Sequence, residues 1–559
     1  MNLIQTVDWA VIAPPVITAA TALAVLVADA ALPKSWAEGR RGGPLGALAV
    51  LGIVLAGLSL YPLRSGERAT FCLTTEAGHC SYIADSFALI LQLLVLAGAL
   101  LTVLISLPEA AAGRAAPPGA QRRRPLPPGE FWFLLLSSVT GAVLLPAARD
   151  LATLVLALEA TTLPAYALVG LRRAGLGPEA ALKFFLSSVT ATAVGLLGIS
   201  FVYAGAGSLF LAEIAAALPE ADPALATLAE AGVVLTLVAF AFKVSAVPFH
   251  FWVPETYLGA PLPVAAFLSV VSKTAGLAGL ILVAVGAFPG FGELWGPAVA
   301  VLAGLTMTAG NAAALRTRPD APHSVIRLLA WSSVAQAGYL LVPLAGAAHA
   351  EDSAAALNAV GATVAYALMY GVVNLGAFAV VVWTAAGHRI DDYRGLARRS
   401  PLTALAMGFF LLCLAGLPPG LIGLFAKVAV FRAAVDSGLG VLAVVTAVNV
   451  VLGLVYYLRW TAVLFREPSP EEPAAGERAA EEPAAEEPAG AEAAAGKGDA
   501  GEGAVRTATE APAPAPAVTA VRPGTRAAAG AAVALAAVTA LVLSGWPQLI
   551  LHFASGGLF

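Results

Sequence analysis

Of 559 residues, 59% are apolar and only 12% are charged, and the mean hydropathy is +0.84. A soluble chain carries about 25% charged residues, so this composition excludes a water-soluble multidomain protein. The net charge of −4 includes an acidic low-complexity stretch and implies neither a nucleic-acid partner nor an acidic substrate. Cys72, Cys80 and Cys413 show no CxxC spacing, which speaks against zinc or an iron–sulfur cluster, and no metal site is expected.

The N-terminus MNLIQTVDW lacks a basic region, so its first apolar run reads as a full span and not as a cleavable signal peptide. Fourteen apolar segments of bilayer-crossing length run at about 8–32, 44–64, 81–107, 128–147, 150–171, 179–205, 226–253, 260–285, 293–314, 322–345, 354–386, 402–434, 438–465 and 526–555. The runs are continuous and not alternating, so the expected fold class is an all-α polytopic membrane protein. Short loops on one side hold fifteen Lys and Arg, among them Lys34, Arg122, Arg316 and Arg398; the other side holds Arg64, Arg68 and Arg149. The positive-inside rule makes the first set cytoplasmic and places both termini outside. From Glu467 to about Arg522, Pro, Ala, Glu and Gly dominate, as in EEPAAGERAAEEPAAEEPAG; this reads as a disordered cytoplasmic linker. Cys72 and Cys80 share an outer loop, where a disulfide is sterically possible. The expected organisation is helices 1–3 at 1–127, helices 4–8 at 128–285, helices 9–13 at 293–465, the linker at 466–525 and helix 14 at 526–559.

A charge at mid-bilayer costs about 2.5–3.5 kcal/mol, so such residues face a polar interior and mark function or a structural ion pair. Four lie well inside spans: Glu159, Lys243, Lys273 and Lys427. Lys183, one helical turn from Glu179 near a span end, suits snorkelling instead. Pro248 follows Lys243, and Gly416-Leu-Pro418-Pro419-Gly420 precedes Lys427. Proline removes a backbone donor and clashes with the preceding turn, so these two spans are expected to be broken helices. Each is fourth in its five-span set, the pattern of a two-fold inverted-repeat transporter with buried lysines at matching places. A carboxylate about 4 Å from a lysine holds its proton by about 4 kcal/mol; moving Glu159 away from Lys243 would release that proton. His250 is a relay candidate or a capper of polar backbone, and Ser332, Ser333 and Gln336 could hold water or pack helices closely. Tyr366 and Tyr370 read as packing or interfacial aromatics. AGAGS at 204–208 lacks the full dinucleotide fingerprint, so no cofactor-binding residues are expected.

The stretch FKVSAVPFHFWVPETYLGAPLPVAAFLSVVSK (242–273) resembles the antiporter-like membrane subunits of respiratory complex I, the proton-pumping NADH:quinone oxidoreductase. EAALKFFLSSVTATAVGLLGISFVYAGAGSL (179–209), LLAWSSVAQAGYLL (328–341) and LAGLPPGLIGLFAKVAVF (414–431) carry the same likeness, which covers roughly residues 128–465. Within that family, ETYLGAPLPV resembles the wording of subunit N, and Lys427 stands where subunit M has Glu. The resemblance implies that Glu159 and Lys243 form a pair, that Lys273 is the central relay and that Lys427 is the terminal proton site. It also implies a bacterial plasma-membrane location beside other complex I membrane subunits. NADH, FMN, iron–sulfur clusters and quinone would then reside elsewhere in the complex. Many relatives have His where Gln336 stands, so a titrating relay is not expected there, and the acidic linker looks like an addition. Two alternatives stand: a subunit of a sodium/proton antiporter or membrane-bound hydrogenase, which share the fold, and a membrane scaffold whose charges bind partner helices.

Overall fold

The computed structural model describes residues 7–31, 42–73, 79–111, 126–172, 175–350, 352–384, 388–467 and 523–552. The acidic segment, and with it most of the expected linker, lies outside the described residues. Among these, thirteen helices are long and apolar enough to cross a membrane. In chain order the helices are α1 (Ala13–Ala31), α2 (Gly42–Leu58), α3 (Ser86–Ala111), α4 (Pro128–Leu144), α5 (Leu151–Gly170), α6 (Gly177–Ala206), α7 (Leu211–Ala217), α8 (Ala226–Lys243) and α9 (Trp252–Gly259). Then come α10 (Leu262–Phe267) and α11 (Lys273–Ile281), joined into one span by a π-helical turn at Leu268–Ser272 and prolonged by another at Leu282–Ala287. There follow α12 (Gly292–Leu315), α13 (Ser324–Ala347), α14 (Ser353–Thr384), α15 (Leu396–Arg399), α16 (Pro401–Ala415), α17 (Leu421–Asp436), α18 (Gly440–Phe465), α19 (Pro523–Gly545) and α20 (Gln548–Leu551). The one expected span not among these thirteen, at 402–434, is the broken pair α16/α17, whose halves are individually too short for a continuous crossing.

The all-α class holds, with one small addition: Arg68–Cys72 (β1) and Cys80–Ala84 (β2) form an antiparallel hairpin with Cys72 opposite Cys80, and those two cysteines are disulfide-bonded. One span bound needs correction: the seventh span does not run on to residue 253. It stops at Lys243, and the backbone is non-helical until Trp252, because Pro248 offers no N–H and excludes a helical turn before it.

Among the described residues, two groups of loop contacts involve residues of the two basic sets. Arg149 bonds through its backbone N–H to Ser81 of the hairpin and through its guanidinium to Asp85, while Arg68 pairs with Asp8. In the opposite set, Val325 N–H donates to His388 O and Gly395 N–H to Arg466 O, which draws the loops around 318–325 and 388–399 and the end of α18 together.

The core is the α10–α11 span with α13 and α14, which are almost wholly buried. Small residues allow close approach here: a Cβ on Gly310 of α12 would meet Ala335 N of α13 at 2.4 Å, and one on Gly338 of α13 would meet Met307 N at 2.5 Å. Such contacts let helices associate in a medium where apolar burial alone gives little preference for protein over lipid.

Candidate proton-transfer site

The three lysines that lie well inside spans are buried, with relative exposures of 5% (Lys243), 3% (Lys273) and 7% (Lys427). Lys243 is the last residue of α8, so its side chain emerges at the first helix break. Its Nζ donates to Ser188 Oγ of α6 at 2.7 Å and lies 3.8 Å from Glu159 Oε1 of α5. Glu159 is held by Thr192 Oγ1 at 2.7 Å and Thr162 Oγ1 at 3.3 Å, and Tyr166 OH donates to Ser188 Oγ at 2.6 Å. The ammonium therefore sits between a hydroxyl and a carboxylate, each fixed by further donors. This is the pair expected from sequence.

Lys273 opens α11 directly after the π turn. Its Nζ donates to the Ser333 carbonyl and to Ser333 Oγ, both at 2.7 Å. Tyr370 OH donates to the same Oγ at 2.9 Å and to Ser269 O at 3.1 Å, and Tyr257 OH stands 3.3 Å from Ser333 Oγ. Asn374 Nδ2 donates to Ser269 Oγ at 2.8 Å, while Asn374 Oδ1 and Thr256 Oγ1 are buried with no partner. No ion pair to Lys273 exists among the described residues.

Lys427 lies seven residues into α17. Its Nζ donates back across the second break to Leu414 O (2.9 Å) and Ala415 O (2.8 Å), the last carbonyls of α16. These carbonyls lost their helical partners when Gly416 turned left-handed (φ 82°), and they form the negative end of the α16 dipole. The Tyr339 ring faces the ammonium at 5.3 Å. Lys243 therefore precedes its break and Lys427 follows its own, the order their sequence positions require. The peptide bonds Val247–Pro248 and Pro418–Pro419 are both cis.

A polar bridge lies between the second and third lysines. Ser332 Oγ is 2.6 Å from Tyr457 OH, Gln336 Nε2 donates to Tyr457 OH at 3.0 Å, and Tyr366 OH donates to Gln336 Oε1. The Tyr366 ring lies 5.8 Å from that of Tyr339, which faces Lys427. Tyr366 and Tyr370 are buried hydrogen-bonding residues and not interfacial ones, a role their apolar surroundings in the sequence concealed. Tyr457, Tyr257, Ser188, Thr192, Ser269 and Asn374 were missed for the same reason. Period-2 or heptad patterning cannot report them; the only signal is a hydroxyl or amide inside a bilayer-length run.

Among the remaining candidates, Lys183 pairs with Glu179 at 2.7 Å and Glu255 at 3.5 Å, and is half-exposed on α6, away from the central network. His250 lies within the first break, its ring 5.5 Å from that of Trp331 and its buried Nδ1 without a hydrogen-bond partner among the described residues.

Chemically, these sites can hold and hand on protons. A fixed carboxylate holds one ammonium, and among the described residues only neutral oxygens hold the other two, Lys273 and Lys427.

Residues 148–453 match the family described as NADH:quinone oxidoreductase/Mrp antiporter, transmembrane. The chain is similar to a Streptomyces griseus protein named NADH-quinone oxidoreductase subunit N 2, with 56% identity covering 100% of this chain and 95% of that one. It is 45% identical to a Salinispora tropica NADH-quinone oxidoreductase subunit N over 84% of this chain and 87% of the relative. Among solved structures, a chain of respiratory complex I from Thermus thermophilus superposes with TM-score 0.70 and 29% identity, covering 97% of this chain and all of that one. A chain of the Mrp complex from Dietzia shares the fold, with TM-score 0.72 at 20% identity.

Proposed function

The chain belongs to the NADH:quinone oxidoreductase/Mrp antiporter transmembrane family, and from that premise we propose that it is the N-type proton-translocating membrane subunit of an NADH:quinone oxidoreductase. Glu159, Lys243, Lys273 and Lys427 are its proton stations. Electrons pass from NADH through FMN and iron–sulfur clusters to quinone in other subunits, and the energy reaches this chain as movement of charge. Separation of Glu159 from Lys243 lets the Lys243 ammonium give up a proton at the first break; the neutral Lys273 amine takes it up, the resulting ammonium donating to the Ser333 oxygens, and the Lys427 amine takes it next, its ammonium donating to the α16 carbonyls. The five-span sets α4–α11 and α12–α18 act as two inverted repeats, with the acidic linker cytoplasmic and both termini outside.

The observation that carries this reading is the bonding of Lys273 and Lys427, among the described residues, to neutral oxygens alone. A scaffold built to glue helices would close its buried charges with opposite ones, since an unpaired buried charge is costly. A sodium/proton antiporter shares the fold, but the full-length 56% identity favours the quinone oxidoreductase. The test is Lys273→Ala in the complete complex, reconstituted in vesicles. Pumped protons per NADH oxidised should fall while the complex stays assembled. An unchanged ratio would refute a proton station at Lys273.

A further inference from the structure

Breaking a helix leaves amide N–H groups without carbonyl partners at the start of the second half. At the second break Gly420 has no side chain to cap them. Leu421 N–H turns back to Pro419 O (2.9 Å) and Gly423 N–H to Gly420 O (3.1 Å). Ile422 N–H instead donates to Ser544 Oγ at 3.2 Å, a hydroxyl in the last turn of α19, 122 residues further along the chain. Ile422 is 1% and Ser544 7% exposed, so the bond is sheltered from competing water.

The first break has the same device. No side chain caps α9, and Val247 N–H, inside the break, donates to Thr306 Oγ1 of α12 at 2.8 Å. Thr306 is fully buried, and its own proton goes to Leu302 O at 2.5 Å, so the oxygen is aimed as an acceptor. In each case the hydroxyl comes from the first span after the five-span set that contains the break: α12 after α4–α11, α19 after α12–α18.

We propose that the last span serves as a brace for the second break, with Ser544 a positioning residue for Lys427 as Thr306 is for the first break. This rests on Lys427 being a proton station. Ile422 and Lys427 ride on the same half-helix, so fixing Ile422 fixes the reach of Nζ to the Leu414 and Ala415 carbonyls. There is no slack along the packed side: a Cβ at Gly423 would lie 1.8 Å from the Cys413 carbonyl oxygen. α19 and α20 both pack on α17, which keeps the hydroxyl on station. On this view the chain continues past α18 because the second set would otherwise lack the neighbour that the first set finds in α12.

The experiment compares Ser544→Ala, Ser544→Thr and Ser544→Val in the complete complex, with Lys427→Ala alongside, reading pumped protons per NADH at equal assembled complex. Thr and Val have the same shape and differ in the hydroxyl. Ala and Val are expected to lower the ratio part of the way towards the Lys427→Ala value, since each removes the hydroxyl acceptor, while Thr stays near wild type. Equal Thr and Val, or an Ala variant that pumps as wild type beside an impaired Lys427→Ala, would overturn the brace and leave the proton station standing. A Lys427→Ala variant that pumps normally would overturn both.

Discussion

The sharpest perturbation is at Glu159. With 3.8 Å between Lys243 Nζ and Glu159 Oε1, the attraction is about 4 kcal/mol at an effective dielectric near 20. Glu159→Asp retracts the charge by about 1.5 Å and leaves about 3 kcal/mol of it by the same relation. Glu159→Gln keeps the shape and the contact with Thr192 but removes the whole attraction. Each 1.4 kcal/mol is about tenfold in an equilibrium, so Asp weakens the hold on the lysine proton several-fold and Gln by about a thousandfold. Proton pumping by reconstituted complex, per NADH oxidised, is therefore expected to be largely kept by Asp and nearly lost by Gln. Native gels must show comparable assembly, because Gln also leaves an uncompensated buried ammonium. If Asp and Gln pump equally well, or if each loses pumping only in proportion to lost assembly, the charge-separation mechanism at this pair is refuted.

Tyr370→Phe removes a donor to both Ser333 Oγ and Ser269 O beside Lys273, and should lower pumping by less than Lys273→Ala does in the same vesicle assay. Cys72→Ser opens the hairpin disulfide that closes a nine-residue segment, and is expected to cost about 2–3 kcal/mol in chain entropy; thermal unfolding of the purified complex should begin lower, and a wild-type chain should resist maleimide labelling at this pair until reduced. For orientation, Gly557→Cys should react with a membrane-impermeant thiol reagent added outside sealed cells and Gly490→Cys should not; labelling at position 490 would reverse the topology. Gly423→Ala places a methyl against the Cys413 carbonyl oxygen, so assembled complex should decline on native gels.

Much of this architecture is legible in the sequence for simple reasons. Bilayer-length apolar runs mark the spans, and a charge inside one is conspicuous because hydrocarbon tolerates so few. Glu159, Lys243, Lys273 and Lys427 stand out on that ground, and Pro248 and Pro418 mark the two breaks. What stayed hidden depends on partners distant in sequence. Pro248 in AFKVSAVPFH announces the break but not its length: nothing local says that the backbone stays non-helical as far as Trp252. The carbonyls that hold Lys427 are backbone atoms, which carry no sequence signature. Tyr366, Tyr370 and Tyr457 look like packing residues until the helices that face them supply Gln336, Ser333 and Ser332. The hairpin strands RATFC and CSYIA are too short to compete with the spans on either side, and their pairing is visible only once Cys72 meets Cys80.

The π turn at Leu268–Ser272 has a consequence for how Lys273 can move. A π turn accommodates one residue more than an α turn. Straightening it would therefore advance the following helix by a whole residue, a rotation of about 100° and a rise of about 1.5 Å. Lys273 faces Ser333 in the register that the structure holds; loss of the extra residue would turn its side chain about 100° away from those oxygens, so the position of Lys273 depends on the turn that precedes it.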